Sequence, residues 1–350
     1  DWAEMQSLFR SRLDARYSEL EIESKALAAA SLAQVHRARI VSTGEEVVVK
    51  GQYPDLVALL DSDFNTVVKM LRLARWIPGS RDFDSWLTTL HGQLLAEIDY
   101  PREQRMAQTM RDALSQHLHV QSASVTIRVP QFWPELCRTE ILTMEYVEGH
   151  SVASAEVAAL PQATRDELGK VMLQLFFAEV FDLGLVQTDP NFGNYLISDA
   201  GTELTLLDFG SVFELDQIVR AALYDAIVGG LIKDEARLEK ALVQLGCLTS
   251  DAGDSAKSTF KAFIGNLLEP LLPPEALPPE FLNAEGQYCW GRSGLINRTG
   301  QQVARSLTNR EFAIPSGDFA MVARKLTGVF TFIAVLNAEF NGRDIVAPYL

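Results

Sequence analysis

Short apolar stretches separated by polar turns occupy the first part of the chain, whereas longer apolar repeats of helical period dominate the remainder. Val47-Val48-Val49-Lys50 and the segment 140–149 predict strands, and Ser42-Thr43-Gly44 predicts the turn of a hairpin. Helices are predicted around 56–76 and 83–100. The pattern predicts a small domain rich in strands, followed by a helical one.

Most of the remaining segments are predicted as helices. Residues 1–26 are charged and amphipathic, which predicts a lead-in helix. From Gln162 to Leu183, apolar residues recur at helical spacing, and the pattern is again helical from Gln217 onward. A proline-rich stretch at 270–279 predicts a rigid loop between helices. The predicted divisions are 1–26, a lead-in helix; 27–148, an N-terminal lobe with an alanine-rich loop; and 149–350, a helical C-terminal lobe.

Two polar motifs flank a predicted strand at 203–207. The first contains Asp189 and, five residues later, Asn194; the second is Asp208-Phe209-Gly210, nineteen residues beyond Asp189. In the kinase signature, the first Asp handles the acceptor proton, while the Asn and the second Asp bind Mg²⁺. Mg²⁺ prefers such oxygen ligands. The spacing predicts Asp189 as catalytic, with Asn194 and Asp208 as metal ligands.

A phosphate-binding lysine and loop are predicted upstream. Lys50 follows an apolar strand, as in the Val-Ala-Ile-Lys motif of kinases. Where a glycine-rich loop is expected, alanines stand at Ala28, Ala30 and Ala33. Because alanine lacks glycine's freedom to adopt φ > 0, we expect a turn that opens into a short helix at Ser31. The predicted nucleotide-binding residues of this loop are Ala28, Ala29, Ala30, Ser31 and Val35.

An acidic partner for Lys50 is expected on a helix. The segment 94–100 offers Glu97 and Asp99, and Pro101 is predicted to end that helix because the residue before proline avoids the α region. A second expected part is the hinge that contacts adenine. Met144 stands at the gatekeeper position, and backbone groups from Glu145 to Val147 could read the adenine edge.

The parts that a protein kinase uses to bind peptides are missing from the sequence. No Ala-Pro-Glu motif follows Asp208, and Ser211–Asp216 leads directly into a predicted helix. Thr188 also replaces the Arg of the kinase His-Arg-Asp motif, which makes control by activation-loop phosphorylation unexpected. The sequence favours a small or lipid-like acceptor, or water, over a peptide.

Composition narrows the partners further. The net charge of -15 argues against nucleic acid and against purely electrostatic binding to anionic lipid, but it leaves hydrophobic membrane contact open. No run of about 18 apolar residues is present. Three separated cysteines suit buried thiols in a reducing compartment, the cytoplasm or an organelle interior. His117 and His119 lack further ligands at zinc-like spacing and are interpreted as loop residues.

Together these motifs resemble the UbiB, or aarF-domain-containing, family of atypical protein-kinase-like ATPases linked to coenzyme Q biosynthesis. The resemblance is carried by Ala28–Ser31 with Gln34–Ala38, Lys50–Pro54, Glu97-x-Asp99-Tyr100, Gln187–Asn191 and Leu207–Gly210. It implies an α+β, bilobal kinase-like fold with a helical C-terminal extension, and an Mg²⁺-dependent enzyme of ATP or ADP. It also implies quinone precursors or other lipid-like partners, and it selects Glu97 as the partner of Lys50.

The first residues depart from that resemblance. Members of the family carry an upstream helical extension whose Lys-x-Gly-Gln motif folds over the active site, whereas residues 1–26 contain no such motif and the chain opens on Asp1. We expect a fragment or a divergent member with a more open site.

Two other classes remain open. A small-molecule phosphotransferase of the aminoglycoside or choline kinase kind shares the Asp-x-x-x-x-Asn spacing. A pseudokinase would bind nucleotide as a switch without catalysis.

Overall fold

The computed structural model describes residues 1–29, 32–54, 56–73, 87, 91–92, 95–96, 98–116, 124–306 and 317–350. The chain forms two compact units, which we call the sheet unit and the helical unit. The sheet unit comprises Asp1–Arg111, Val129–Val147 and Asp208–Ser211; the helical unit comprises Asp112–Arg128, Glu148–Leu207 and Val212–Leu350.

Four antiparallel strands form the sheet of the first unit, in the order β1-β2-β3-β5. Their bounds are β1 Leu20–Ala29, β2 Ala33–Ile40, β3 Glu46–Gln52 and β5 Ile141–Glu145. Because side chains alternate across a strand, Val47 and Val49 of β3 enter one core cluster, while Lys50 is on the other face. The predicted strands and the hairpin turn at Gly44, where φ is 76°, are confirmed.

The first helix is shorter than the predicted lead-in over 1–26, and that prediction is wrong. Helix α1 spans Trp2–Leu13 and ends where Asp14 adopts a φ of 51°. From Leu20 the apolar residues alternate with period two, and Leu20 pairs with Ile40 of β2. The buried face of α1 belongs to the core of the sheet unit, so α1 is part of that unit.

Two further helices begin in the sheet unit. Helix α2 spans Leu56–Leu73, in agreement with the predicted helix, and α3 spans Tyr100–Gln116. The helix predicted over 83–100 falls mostly outside the described residues, as do His117 and His119.

Helices dominate the second unit, with the bounds α4 Ala155–Ala158, α5 Gln162–Phe177, α6 Gln217–Leu231, α7 Glu235–Gln244, α8 Asp254–Leu268, α9 Leu295–Ser306, α10 Gly317–Val335 and α11 Gly342–Val346. A π-helical segment at Ala178–Leu183 extends α5. The predicted apolar face of α5 is buried at Leu168, Val171 and Leu175. The proline-rich stretch forms short 3₁₀ turns between α8 and α9.

Short strands complete the helical unit. In one sheet β8 (Glu203–Leu206) lies between β4 (Thr126–Arg128) and β7 (Tyr195–Ile197), and in the other β6 (Leu185–Gln187) pairs with β9 (Val212–Glu214). The predicted strand at 203–207 is thus observed as β8.

The division between the units falls after Val147, one residue from the predicted boundary at 148. Two segments differ from the prediction. Residues 112–128 belong to the helical unit because β4 pairs in parallel with β8. Residues 208–211 belong to the sheet unit because Asp208 bonds to Lys50 of β3. The α+β class is confirmed, and no helix among the described residues is long and apolar enough to cross a bilayer.

The close approach of α1 to β3 requires a glycine. A Cβ on Gly51 would lie 2.5 Å from Phe9 Cε1 and 2.7 Å from Met5 Cε. We expect Gly51→Ala to lower the free energy of unfolding by about 1–3 kcal/mol because the packed core must shift. Urea denaturation would measure the loss. The smaller Phe9→Leu should recover part of it when combined with Gly51→Ala, and an unchanged stability of the single variant would contradict this packing.

Candidate active site

Lys50 lies among two carboxylates in the sheet unit. Its Nζ is 3.3 Å from both carboxylate oxygens of Glu103 and 3.2 Å from Oδ2 of Asp208. The Glu103 side chain is 1% exposed and that of Lys50 16%, whereas that of Asp208 is 33% exposed. The Lys50 ammonium is thus bound by the buried carboxylate of Glu103 and by the carboxylate of Asp208, which is partly accessible to solvent.

Among the described residues, Glu103 is the helix acid that pairs with Lys50. Glu97 itself lies outside them. Pro101 does not end a helix; it lies in the first turn of α3, where proline's missing N–H costs nothing. Asp99 caps that turn, since its Oδ1 accepts the Arg102 N–H at 2.9 Å. This start of α3 brings Glu103 beside Lys50.

Burial and charge act against each other in this cluster. Complete burial raises the pKa of Glu103 to about 7, against the opposing effect of the Lys50 ammonium. Burial also acts to lower the pKa of Lys50, but the carboxylates of Glu103 and Asp208 outweigh it and hold that pKa above its ordinary value. Lys50 is therefore a permanent cation at neutral pH.

The Asp208-Phe209-Gly210 turn is fixed by hydrogen bonds within the sheet unit. Asp208 Oδ1 accepts the Gly210 N–H at 3.0 Å, and Arg102 Nη1 donates to the Gly210 carbonyl at 2.8 Å. Arg102 and Glu103 are neighbours in the first turn of α3. This part of the helix therefore supplies both the acid that pairs with Lys50 and the hydrogen bond to Gly210 that fixes the Asp208 segment. Neither Arg102 nor Glu103 was among the residues predicted for the site. The signal for both was Asp99 two residues before Pro101, a helix-start pattern.

The alanine-rich segment forms the end of a hairpin, with Ala28 paired to Val35 and Ala29 to Gln34. Ala30 and Ser31 lie outside the described residues. The expected short helix from Ser31 is wrong, because β2 begins at Ala33. Val35 also lies directly across from Lys50 on β3. Pairing on both sides of β2 keeps this segment extended.

The predicted hinge is the end of β5 and the residues after it. Met144 is buried and pairs with Val48 of β3. The Glu145 N–H donates to the Gln131 carbonyl at 2.8 Å and the Tyr146 N–H to the Glu46 carbonyl at 3.1 Å. Two of the three predicted amides are therefore already bonded, which leaves Val147 as the candidate hinge donor.

In the helical unit, Asp189 and Asn194 face each other across the loop between β6 and β7. Asn194 Nδ2 donates to Asp189 Oδ2 at 2.6 Å, and Arg324 Nη2 lies 3.4 Å from Asp189 Oδ1. Asn191 Oδ1 accepts the Gly193 N–H at 3.0 Å and closes the turn between them. The structure thus joins the two residues of the predicted Asp-x-x-x-x-Asn pair.

Comparison with known proteins shows the family to which the chain belongs. The profile of the "ABC1 atypical kinase-like domain" matches residues 1–242. The chain belongs to the ABC1 atypical kinase-like family. This membership confirms the resemblance to UbiB proteins, and Lys50 and the Asp208 turn both lie within the matched residues.

Two curated relatives from yeasts show how similar the chain is to individual members of the family. The chain is 27% identical over 330 residues to "Atypical kinase COQ8, mitochondrial" of Schizosaccharomyces pombe, covering 94% of the chain and 51% of that protein. It is 30% identical over 318 residues to the Saccharomyces cerevisiae protein of that name, covering 90% of the chain and 59% of that protein. The chain thus spans little more than half the length of these curated relatives.

The fold also matches a solved structure. The complex of Rv3197 with erythromycin from Mycobacterium tuberculosis superimposes with a TM-score of 0.71 at 21% identity, covering 99% of this chain and 82% of that one. Because the identity is this low, the match shows only that the two chains share a fold.

The pKa of Glu103 predicts a pH dependence of stability. Its ordinary value is 4.5 and its folded value about 7, so the folded protein retains a proton that the unfolded chain has lost between these pH values. This contribution to stability is present at low pH and is lost as pH rises through 7. We expect the stability difference, wild type minus Glu103→Gln, to fall across this interval in denaturation experiments.

Glu239→Gln is the matched control with the opposite sign. Hydrogen bonds from Lys261 and Lys257 lower the pKa of Glu239, so its contribution appears as pH rises and is lost on acidification. A wild-type advantage over Glu103→Gln that grows with pH would show that ion pairing outweighs burial at Glu103.

Proposed function

We propose that this chain is an Mg²⁺-dependent ATPase or phosphotransferase of the atypical kinase type, acting on a small or lipid-like partner in support of ubiquinone biosynthesis. The observation that carries the proposal is the Lys50 ammonium bonded to both Glu103 and Asp208. Kinases use this lysine–glutamate pair, together with a metal-binding Asp, to hold ATP.

The residues present suit a magnesium nucleotide. Asp208 is a partly exposed carboxylate, and Asn194 directs its amide nitrogen to Asp189, so its oxygen is not used in that bond. Such oxygens are the hard ligands that Mg²⁺ prefers. Mg²⁺ would neutralise phosphate charge, while Lys50, as a point charge, would contact the α and β phosphates.

The other predicted site residues have roles in proton transfer and in nucleotide binding. Asp189, oriented by Asn194, would accept the proton of the attacking hydroxyl or water. The Val147 N–H and the Glu145 carbonyl would contact the adenine edge beside Met144. Ala28, Ala29 and Val35 would line the phosphate side of the site, together with the predicted Ala30 and Ser31.

The biological context rests on family membership. The yeast relatives carry the name of a mitochondrial atypical kinase, which supports an organelle interior as the location. Quinone precursors as partners, and peripheral contact with a membrane, come from the resemblance to UbiB proteins. Nucleic acid remains an unexpected partner because the net charge is -15.

Asp208→Asn tests the metal assignment. An amide keeps the shape but removes the negative charge that binds Mg²⁺ beside a triphosphate. We expect Mg²⁺-dependent ATP turnover to fall by at least about 100-fold, measured as phosphate release and by binding of Mg-ATP. Asp199→Asn, at an exposed carboxylate that bonds to His150, is the matched control and should retain wild-type turnover.

Wild-type turnover in Asp208→Asn would overturn the metal assignment. Tight Mg-ATP binding by the wild type without any turnover, with or without quinone precursors, would favour the pseudokinase alternative. Phosphorylation of an aminoglycoside or choline would favour the small-molecule phosphotransferase.

The alanine-rich hairpin should control how nucleotide is bound. Ala28 and Ala29 are exposed at the end of β1, so their replacement by glycine removes little packing. We expect Ala28→Gly and Ala29→Gly to change ATP affinity or the ATP-to-ADP preference by about tenfold while costing about 1 kcal/mol of stability. Isothermal titration and thermal melting would separate the two. A large loss of stability with unchanged nucleotide binding would assign these alanines to packing alone.

A further inference from the structure

A fully buried lysine, Lys325, lies in the helical unit and outside residues 1–242, which the family profile matches. Lys325 of α10 is 1% exposed and its Nζ is 3.0 Å from Glu179, which is 0% exposed. Nζ also lies 3.2 Å from Gln187 Oε1 and 3.3 Å from the Tyr195 hydroxyl. Tyr195 in turn donates to Gln187 Oε1 at 2.9 Å.

These contacts fix both ends of one loop. Gln187 is the last residue of β6 and Tyr195 the first of β7, and the residues between them include Asp189 and Asn194. A single ammonium therefore bridges the start and the end of the segment that contains the Asp-x-x-x-x-Asn pair.

The same helix also contacts the middle of the loop. Arg324 bonds to Asp189, and a Cβ on Gly328 would fall well inside contact distance of Pro190 Cβ. Phe332 packs edge-on against Phe192, with ring centroids 6.2 Å apart. Positions 324, 328 and 332 are four residues apart and so share one face of α10. This face follows the loop along its length.

Stability alone does not account for this choice of residues. A buried ion pair is seldom more stabilising than apolar side chains of the same volume, but its hydrogen bonds fix one geometry. Lys325 Nζ contacts Glu179, Gln187 and Tyr195 in a single arrangement, and that arrangement fixes the spacing of Gln187 and Tyr195.

We infer that α10 is a positioning element of the catalytic loop and that Lys325 is its central positioning residue. The inference rests on the proposed function in so far as Asp189 and Asn194 act on nucleotide. On this inference, α10 of the helical extension contributes to the geometry of the site, although α10 lies outside the residues that the kinase-like profile matches.

The first test removes the ion pair without leaving a buried charge. Lys325→Met with Glu179→Gln eliminates both charges. The matched control is Arg298→Met with Glu269→Gln, which removes a comparable network of cation, carboxylate and Tyr288 on other elements. Amide hydrogen exchange of the peptide covering 188–197 is measured without nucleotide, and kcat and KM for ATP are measured separately.

We expect exchange in 188–197 to quicken about tenfold and kcat to fall at least about tenfold in the Lys325 double variant. KM and the exchange of α5 should change little. The control should lower the melting temperature without either effect. Unchanged exchange in 188–197 would overturn the inference, as would equal loosening of that peptide by the control. Because exchange needs no turnover, this result stands even if wild-type ATP turnover, and with it the proposed function, fails.

A second test keeps every charge. Gly328→Ala adds one methyl group against Pro190, whereas Gly265→Ala makes the same change in α8, where a Cβ meets nothing within 4 Å. We expect Gly328→Ala alone to quicken exchange in 188–197 and to lower kcat at least about threefold. Equal behaviour of the two alanine variants in both measurements would overturn the inference.

Discussion

The sheet unit is organised around the Lys50 ammonium and its two carboxylates. Taking Glu103 fully out of water is unfavourable unless a cation compensates it, and Lys50 supplies that cation. The compensation joins three parts of the chain: strand β3, helix α3 and the segment 208–211. Asp208 therefore belongs to the sheet unit even though the chain on either side of its segment belongs to the helical unit.

Local helix chemistry makes this ion pair possible. Asp99 caps α3 and Pro101 lies in its first turn, which places Glu103 near the positive end of the helix dipole. Arg102, on the same turn, bonds to the Gly210 carbonyl. A few residues with ordinary capping functions thus fix the geometry of both the ammonium and the Asp208 turn.

The helical unit repeats the same physical solution with other residues. Lys325 and Glu179 are both buried, and Gln187 and Tyr195 satisfy the remaining hydrogen bonds of the lysine. In both units a lysine that is largely or fully buried contacts a residue in or beside a loop that carries candidate active-site groups. In the sheet unit, the charged partner Asp208 is itself a proposed metal ligand. In the helical unit, the charged partner Glu179 is buried and has no proposed role in the chemistry.

The sequence by itself determined the α+β class, the family, and the groups whose signal is local. Lys50, the Asp208 turn and the Asp189–Asn194 pair could be predicted as candidates because fixed spacings along the chain encode them. Only the tertiary structure decided which acid pairs with Lys50, and that the strand β1 follows α1 where a longer helix was predicted. It also decided that Lys325 reaches Glu179, a residue 146 positions earlier. Pairing of buried charges depends on which elements pack together, and no periodicity or motif within one segment specifies that.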